Sequence, residues 1–89
     1  MYLPNKHYGK LMEGVKAWNK WRQDELVGRP DFENAELAEH DLTNVNLSGA
    51  NLRNAILIGL NLTNANLTGV DLTDAHLQEK NGNVGSKKI

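Results

Sequence analysis

A leucine-class residue recurs at every fifth position between residues 30 and 79. Ten consecutive copies follow the phrase A-[D/N]-L-x-x, with a small or apolar residue two places before each leucine position. A period of five fits neither an amphipathic helix, with about 3.6 residues per turn, nor a long strand, with a period of about two. The ten leucine positions, which are the predicted core, are Phe32, Leu37, Leu42, Leu47, Leu52, Leu57, Leu62, Leu67, Leu72 and Leu77.

Each phrase combines a short extended segment with a corner. The leucine and the residue two before it share one face of an extended segment, because side chains alternate sides along a strand. The phrases therefore predict an all-β solenoid whose inner wall is built from leucines and small residues. Two places after the leucine, the chain carries residues that tolerate positive φ and favour turns: Asn34, Asn44, Gly49, Asn54, Gly59, Asn64, Gly69 and Asp74.

These ten unbroken phrases resemble the pentapeptide-repeat family. In that family four phrases form the four sides of one coil, and the coils stack into a right-handed quadrilateral β-helix. The resemblance covers residues 30–79 and implies about 2.5 coils, a rod only about 12 Å long at a strand spacing of about 4.8 Å. It also implies that residue n lies beside residue n+20, which predicts an ion pair between Glu33 and Arg53.

Residues 1–29 are predicted to form an N-terminal α-helical cap. Within "YGKLMEGVKAWNKWR", Leu11, Val15 and Trp18 follow helical spacing and Trp21 flanks the same stripe, although two glycines interrupt the segment. A solenoid exposes its core at each end, so one interpretation is a helix laid over the first coil. The other is a helix that binds a partner. The stretch "GVKAWNKWR" also resembles what many bacterial members of the family carry before their repeats.

The C-terminal residues 80–89, "KNGNVGSKKI", read as a flexible tail with no amphipathic segment to cover the last coil. Leu72 and Leu77 are therefore predicted to lie at an open end. Either the tail folds over it, or a second molecule does, and a two-fold homodimer through the C-terminal coil would close both ends at once. A third alternative is that the chain is a fragment of a longer repeat protein.

The phrase "NAILIGL" carries Ile56 and Ile58 at positions that its neighbours fill with polar residues. Both side chains are predicted to point outward on one side of the solenoid. Three interpretations stand: strand propensity or cover by the tail, a self-association or partner contact, and drift in a permissive repeat. Ile56, Ile58, Leu72 and Leu77 are therefore the candidate interaction surface.

No residue pattern indicates catalysis or a bound cofactor. The three histidines, His7, His40 and His76, have no neighbours at zinc-ligand spacing, and no nucleophile–base set or phosphate-binding glycine loop is recognisable. We expect neither an enzyme nor a metal or cofactor site. The lack of cysteine fits a reducing, cytoplasmic setting, and no run of about 18 apolar residues predicts a membrane span.

The net charge of −1 is unevenly distributed. Residues 1–29 carry +3, residues 30–79 carry −7 and residues 80–89 carry +3, which indicates either a solvated surface or opposite-sign ends that associate. The sequence predicts a non-enzymatic binding or scaffold module that acts through its surface or by end-to-end self-association, with an unknown protein partner and no direct nucleic-acid binding. The alternative is a DNA-mimicking modulator of a type II topoisomerase, DNA gyrase, because family members of that kind are acidic rods.

Overall fold

The computed structural model describes residues 5–25 and 28–79, and its repeats pair with one another at a fixed spacing of twenty residues. Asp31 pairs in parallel with Asn51, and Asn51 in turn with Asp71. The hydrogen bonds follow the same spacing in both directions, from the Phe32 amide to the Asn51 carbonyl and from the Asn51 amide to the Pro30 carbonyl, each at 2.8 Å. The repeat region is therefore a β-solenoid in which each coil bonds to the next.

Regular strands form on one side of the described solenoid. Strand β1, Ile56–Leu60, pairs in parallel with β2, His76–Glu79. Elsewhere in the described residues the contacts between coils are single β-bridges. The β1 segment is the one with two β-branched residues outside the core, and such residues favour extended backbone. The register shifts by one residue between Ile58 and Leu60, so the strict twenty-residue spacing ends there.

The corners lie where the sequence predicted them. The backbone amide three residues after a leucine position bonds back to its carbonyl, as from Ala35 to Phe32 at 2.9 Å. The residue before that amide has positive φ, at nine successive corners from Asn34 to Asp74. Glu39 is the exception in type, because its φ of 63° places a longer side chain in a conformation that favours Gly and Asn.

Where Asp or Asn precedes the leucine position, its side chain bonds the backbone amide two residues on. Asp41 Oδ1 accepts hydrogen bonds from the Thr43 amide at 3.1 Å and from its hydroxyl at 2.6 Å. Asn61 binds Thr63 in the same way. Local bonds of this kind favour turns over helix, which explains why Asp or Asn and then Ser or Thr recur around the leucine.

The core is most deeply buried near the N-terminal end of the solenoid. Phe32, Leu37 and Leu57 are at most 2% exposed, and Leu42, Leu47 and Leu52 are buried with them. The last four leucine positions are only partly buried while packing against this core: Leu62, Leu67, Leu72 and Leu77.

Two helices cover the N-terminal end of the solenoid, whereas the sequence of residues 8–22 predicted a single helical segment. Helix α1 is Lys6–Leu11 and α2 is Val15–Asp24. The break falls at Gly14, whose φ of 113° no helix accommodates. Leu11 and Trp18 are buried, and Val15 and Trp21 pack half-buried against the core. We call α1 and α2 together the helical cap.

Candidate interaction surfaces

The first coil has no preceding coil to bond, and side chains of α2 take that place. Asn19 accepts from the Asn46 amide through Oδ1 at 2.8 Å and donates through Nδ2 to the Asn44 carbonyl at 3.0 Å. Trp18 Nε1 donates to the Asn46 carbonyl at 2.7 Å, and Arg22 donates to it at 3.2 Å. These side chains imitate a neighbouring strand and satisfy an edge that would otherwise be unpaired.

Side chains of α1 and of its N-cap residue also form hydrogen bonds with the backbone on a second side of the first coil. The Asp31 amide donates to His7 Nδ1 at 2.9 Å, and the Asp31 carbonyl accepts from Asn5 Nδ2 at 3.0 Å. Tyr8 donates to the Glu36 carbonyl at 3.5 Å. Asn5 also caps α1, because its Oδ1 accepts from the Tyr8 amide. The cap is thus attached by specific polar contacts as well as by packing.

An aromatic cluster fills the space between the cap and the first coil. The Trp18 ring lies 5.3 Å from Trp21 and 5.5 Å from Phe32, measured between centroids, with tilted planes. The His7 ring lies 5.7 Å from Trp21. Tilted aromatic pairs at these separations attract each other beyond the area they bury. Because Trp18 is inaccessible and Trp21 is half-buried, this geometry supports the interpretation of the tryptophan segment as a cap.

Toward the opposite end of the described solenoid, leucine side chains line a small, partly enclosed cavity. Its lining comes from the inner side chains of the coils up to the last described one, and we call it the C-terminal opening. Leu72 and Leu77 are among its lining residues and are half-buried, and the open end at these residues stays a prediction. The predicted flexible tail, residues 80–89, lies outside the described residues, and so does the choice between cover by the tail and cover by a second molecule. The full lining is Leu47, Leu52, Leu57, Leu60, Leu62, Leu67, Leu72 and Leu77.

The isoleucine side is small and unevenly exposed. Ile58 is 45% exposed, whereas Ile56 is half-buried. Ile56 pairs with Glu36 of the preceding coil and with His76 of the following one. Ala38, twenty positions before Ile58, is exposed. Single exposed apolar side chains are ordinary in folded proteins. Strand formation by β1 accounts for both isoleucines without requiring a partner.

The charged side chains pair differently from the prediction. Arg53, expected beside Glu33, instead donates to Asp71 Oδ2 at 3.3 Å, and Arg29 lies 3.7 Å from the same oxygen. Glu33 accepts from Asn51 Nδ2 at 3.5 Å. Hydrogen bonds from the hydroxyl and amide of Thr73, reinforced by Arg53, lower the pKa of Asp71 to about 2. This carboxylate therefore stays ionised over nearly the whole acidic range.

The histidines lie in three different environments. His40 is half-buried, with Nδ1 at 3.1 Å from the Leu37 carbonyl and 3.0 Å from the Ala38 carbonyl. His76 is exposed on β2. His7 belongs to α1 and faces the first coil, where it accepts from the Asp31 amide. Among residues 5–25 and 28–79, no three His, Cys, Asp or Glu side chains come together as ligands for a metal ion. No helix in the described part of the chain is long and apolar enough to cross a membrane.

The sequence pattern did not identify the residues that attach the cap. These residues form hydrogen bonds from their side chains to backbone groups of the first coil, and their spacing in the sequence depends on the break between α1 and α2. They are Asn5, His7, Tyr8 and Asn19. The only local signal was Asn5, a residue typical of helix N-caps.

Comparison with known families bears on the repeats. A family model for pentapeptide repeats matches the chain in eight copies, over residues 31–59 and 46–79. Together these matches span residues 31–79, more than half of the chain. No curated protein and no solved structure matches the chain significantly.

Proposed function

Because the chain belongs to the pentapeptide-repeat family, we propose that it is a non-enzymatic binding or scaffold module that works by contact at the C-terminal opening. The observation that carries this proposal is the inequality of the two ends. Side chains of the helical cap bond the backbone edge of the first coil. The leucines of the last coil, among them Leu72 and Leu77, line a small cavity and are only half-buried by the described residues. A cytoplasmic location is part of the proposal and rests on the sequence alone.

The partner that fits most simply is a second copy of the same chain. The cap occupies the N-terminal end, so head-to-tail stacking would require its displacement. Two C-terminal openings can meet around a two-fold axis, and such a contact closes both at once. Homodimerisation through the C-terminal coil is accordingly the specific form of the proposal.

We also propose a right-handed quadrilateral β-helix of about 2.5 coils as the finer geometry. Support comes from the parallel bridges, which join residues twenty apart at five places, and from corners five residues apart. A coil of twenty residues with a corner every five residues has four corners, which supports a four-sided coil. A crystal structure of the protein would test both the hand and the number of sides.

Light scattering over a concentration series tests the dimer. The wild-type chain is expected to move from monomer to dimer mass as concentration rises. Leu77→Asp, which puts a charge at the C-terminal opening, should stay monomeric at concentrations where wild type is dimeric. The matched variant Ile56→Thr with Ile58→Thr changes the isoleucine side and should dimerise like wild type. Wild-type monomer throughout would reject the dimer, and loss of dimer only in the isoleucine variant would move the contact there.

The second candidate function is DNA mimicry toward a type II topoisomerase. It is favoured by the five exposed acids of the first coil, which lie in residues 31–41. It is weakened by Asp71, which two arginines contact. Supercoiling by DNA gyrase, measured with and without the protein, separates the two functions. Inhibition or protection that disappears when Glu33 and Glu36 become Gln would favour mimicry, whereas unchanged supercoiling would remove it.

A further inference from the structure

His7 holds α1 against the repeats as a hydrogen-bond acceptor. The Asp31 amide donates to its Nδ1 at 2.9 Å. An imidazole nitrogen accepts only with a free lone pair, so in this contact the ring is neutral and carries its proton on Nε2. This hydrogen bond between α1 and the first coil therefore exists in one protonation state of His7.

The surroundings of the ring disfavour a positive charge. Trp21 and Phe32 lie on it from α2 and the first coil, at 5.7 and 6.5 Å between centroids. Burial, followed by the charges of Lys6 on α1 and Arg22 on α2, lowers the pKa of His7, and Asp31 opposes them in part. An imidazolium at this position would meet the Asp31 amide with a hydrogen, so that two donors face each other.

Other contacts at the start of α1 depend on the same place. Asn5 both caps α1 and donates to the Asp31 carbonyl at 3.0 Å. Helix α1 has six residues, far fewer than the roughly 12 that a helix needs to persist alone. A break at the Asp31 amide therefore weakens the N-cap contact beside it.

We propose that the helical cap carries an acid-sensitive latch, in which protonation of His7 undocks the start of α1 from the first repeat. Because the pKa is lowered in the docked state, the latch is closed above the ordinary histidine value of 6.5 and opens as pH falls through the lower, docked-state value. Helix α2 stays in place, since Trp18 and Asn19 hold Asn46 with groups that do not titrate. Opening frees the backbone edge at Asp31 and removes the His7 ring from Phe32, which Trp18 still covers.

The other histidines are placed differently. His40 Nδ1 faces two carbonyl oxygens and donates to them, so its contacts do not need a free lone pair on that nitrogen. His76 is exposed on β2 at the opposite end of the solenoid. The acid response of the cap is thus assigned to His7.

Amide hydrogen exchange measured by NMR tests the latch, with rates corrected for the intrinsic effect of pH. Between about pH 7.5 and about pH 5, the range in which histidine titrates, protection of the Asp31 amide should fall at least about tenfold. The Asn46 amide, held by Asn19 Oδ1 at 2.8 Å, is the internal control and should keep its protection. Parallel loss at both amides would mean that the whole cap unfolds, and would overturn the proposal.

His7→Asn is the matched variant, because its Oδ1 can take the place of Nδ1 as acceptor but has no proton to gain. In this variant protection at Asp31 should not depend on pH. The same pH-dependent loss in His7→Asn and wild type would contradict the latch. Independently of any variant, ring nitrogen shifts in the wild-type protein must place the neutral proton of His7 on Nε2. A proton on Nδ1, or full protection at Asp31 with His7 charged, would also overturn it.

Discussion

The two ends of this solenoid are built from different kinds of sequence. At the N-terminal end, a segment outside the repeat supplies Trp18, Asn19 and His7 to backbone groups that no coil can reach. At the other end of the described residues, Leu72 and Leu77 belong to the repeat itself, lie half-buried and line a small cavity. A repeat unit forms the hydrogen bonds of its own corner and of the adjacent coils. It carries no residues that cap the exposed end of a solenoid.

This difference teaches where the stability of a short solenoid must come from. An inner coil bonds two neighbours, and its leucines are covered from both sides. With so few coils, the end surfaces are a large share of the molecule, so each terminus matters more than in a long rod. The cap therefore functions as part of the core, whereas the half-buried leucines at the other end of the described solenoid keep apolar area exposed to water.

The largest expected loss of stability comes from truncation of Trp18, the buried tryptophan of the helical cap. Trp18→Ala removes an inaccessible ring and the hydrogen bond to the Asn46 carbonyl, and should lower the free energy of unfolding by about 3–5 kcal/mol. Urea unfolding followed by circular dichroism measures it. Trp21→Ala, at a half-buried site in the same helix, should cost clearly less. Equal losses would show that the cap acts by covering area and not by anchoring at Trp18.

Matched leucine truncations compare the two ends directly. Leu37→Ala removes a side chain that is 0% exposed and should cost about 2–5 kcal/mol. Leu77→Ala, at a half-buried position that lines the C-terminal opening, should cost less, because water already reaches part of the side chain. Chemical denaturation at low protein concentration gives both values. An equal cost at Leu77 would indicate that this end is covered as well as the other.

Removal of one edge-mimicking side chain should have an intermediate effect. Asn19→Ala leaves the Asn46 amide and the Asn44 carbonyl without their partners, which should cost about 1–3 kcal/mol. Lys16→Ala, an exposed change in the same helix, should stay within about 0.5 kcal/mol. If the two variants unfold at the same urea concentration, water replaces Asn19 without loss, and the contrast between the ends is one of packing alone.

Much of the repeat region follows from the sequence, because its interactions are local or recur at fixed spacing. Positive φ at Asn34 and its successors follows from the residue types that tolerate it. Pairing at twenty residues follows from the family to which the repeats belong. The strand at Ile56 and Ile58 agrees with their β-branched side chains.

The ends were less predictable, for a physical reason. Side chains such as His7 and Asn19 act on backbone groups about 24 to 27 positions away, and no local pattern reports such a distance. The predicted ion pair between Glu33 and Arg53 was wrong for a related reason. Strict stacking places Arg53 beside Glu33, but a long flexible side chain reaches the next coil as easily, and Asp71 there is already oriented by Thr73.

The smallest expected effect concerns this carboxylate. Its pKa of about 2 lies below the ordinary 3.8, so its contribution is present above about pH 4 and is lost as pH falls through about 2. Asp71→Asn keeps an acceptor for Thr73 but has no charge to lose near Arg53. Urea midpoints at pH 5 and pH 2 should therefore differ less in Asp71→Asn than in wild type. Thr73→Val, which removes only the hydroxyl donor, should lie between them. Equal pH dependence in all three would show that Asp71 contributes nothing to stability through its charge.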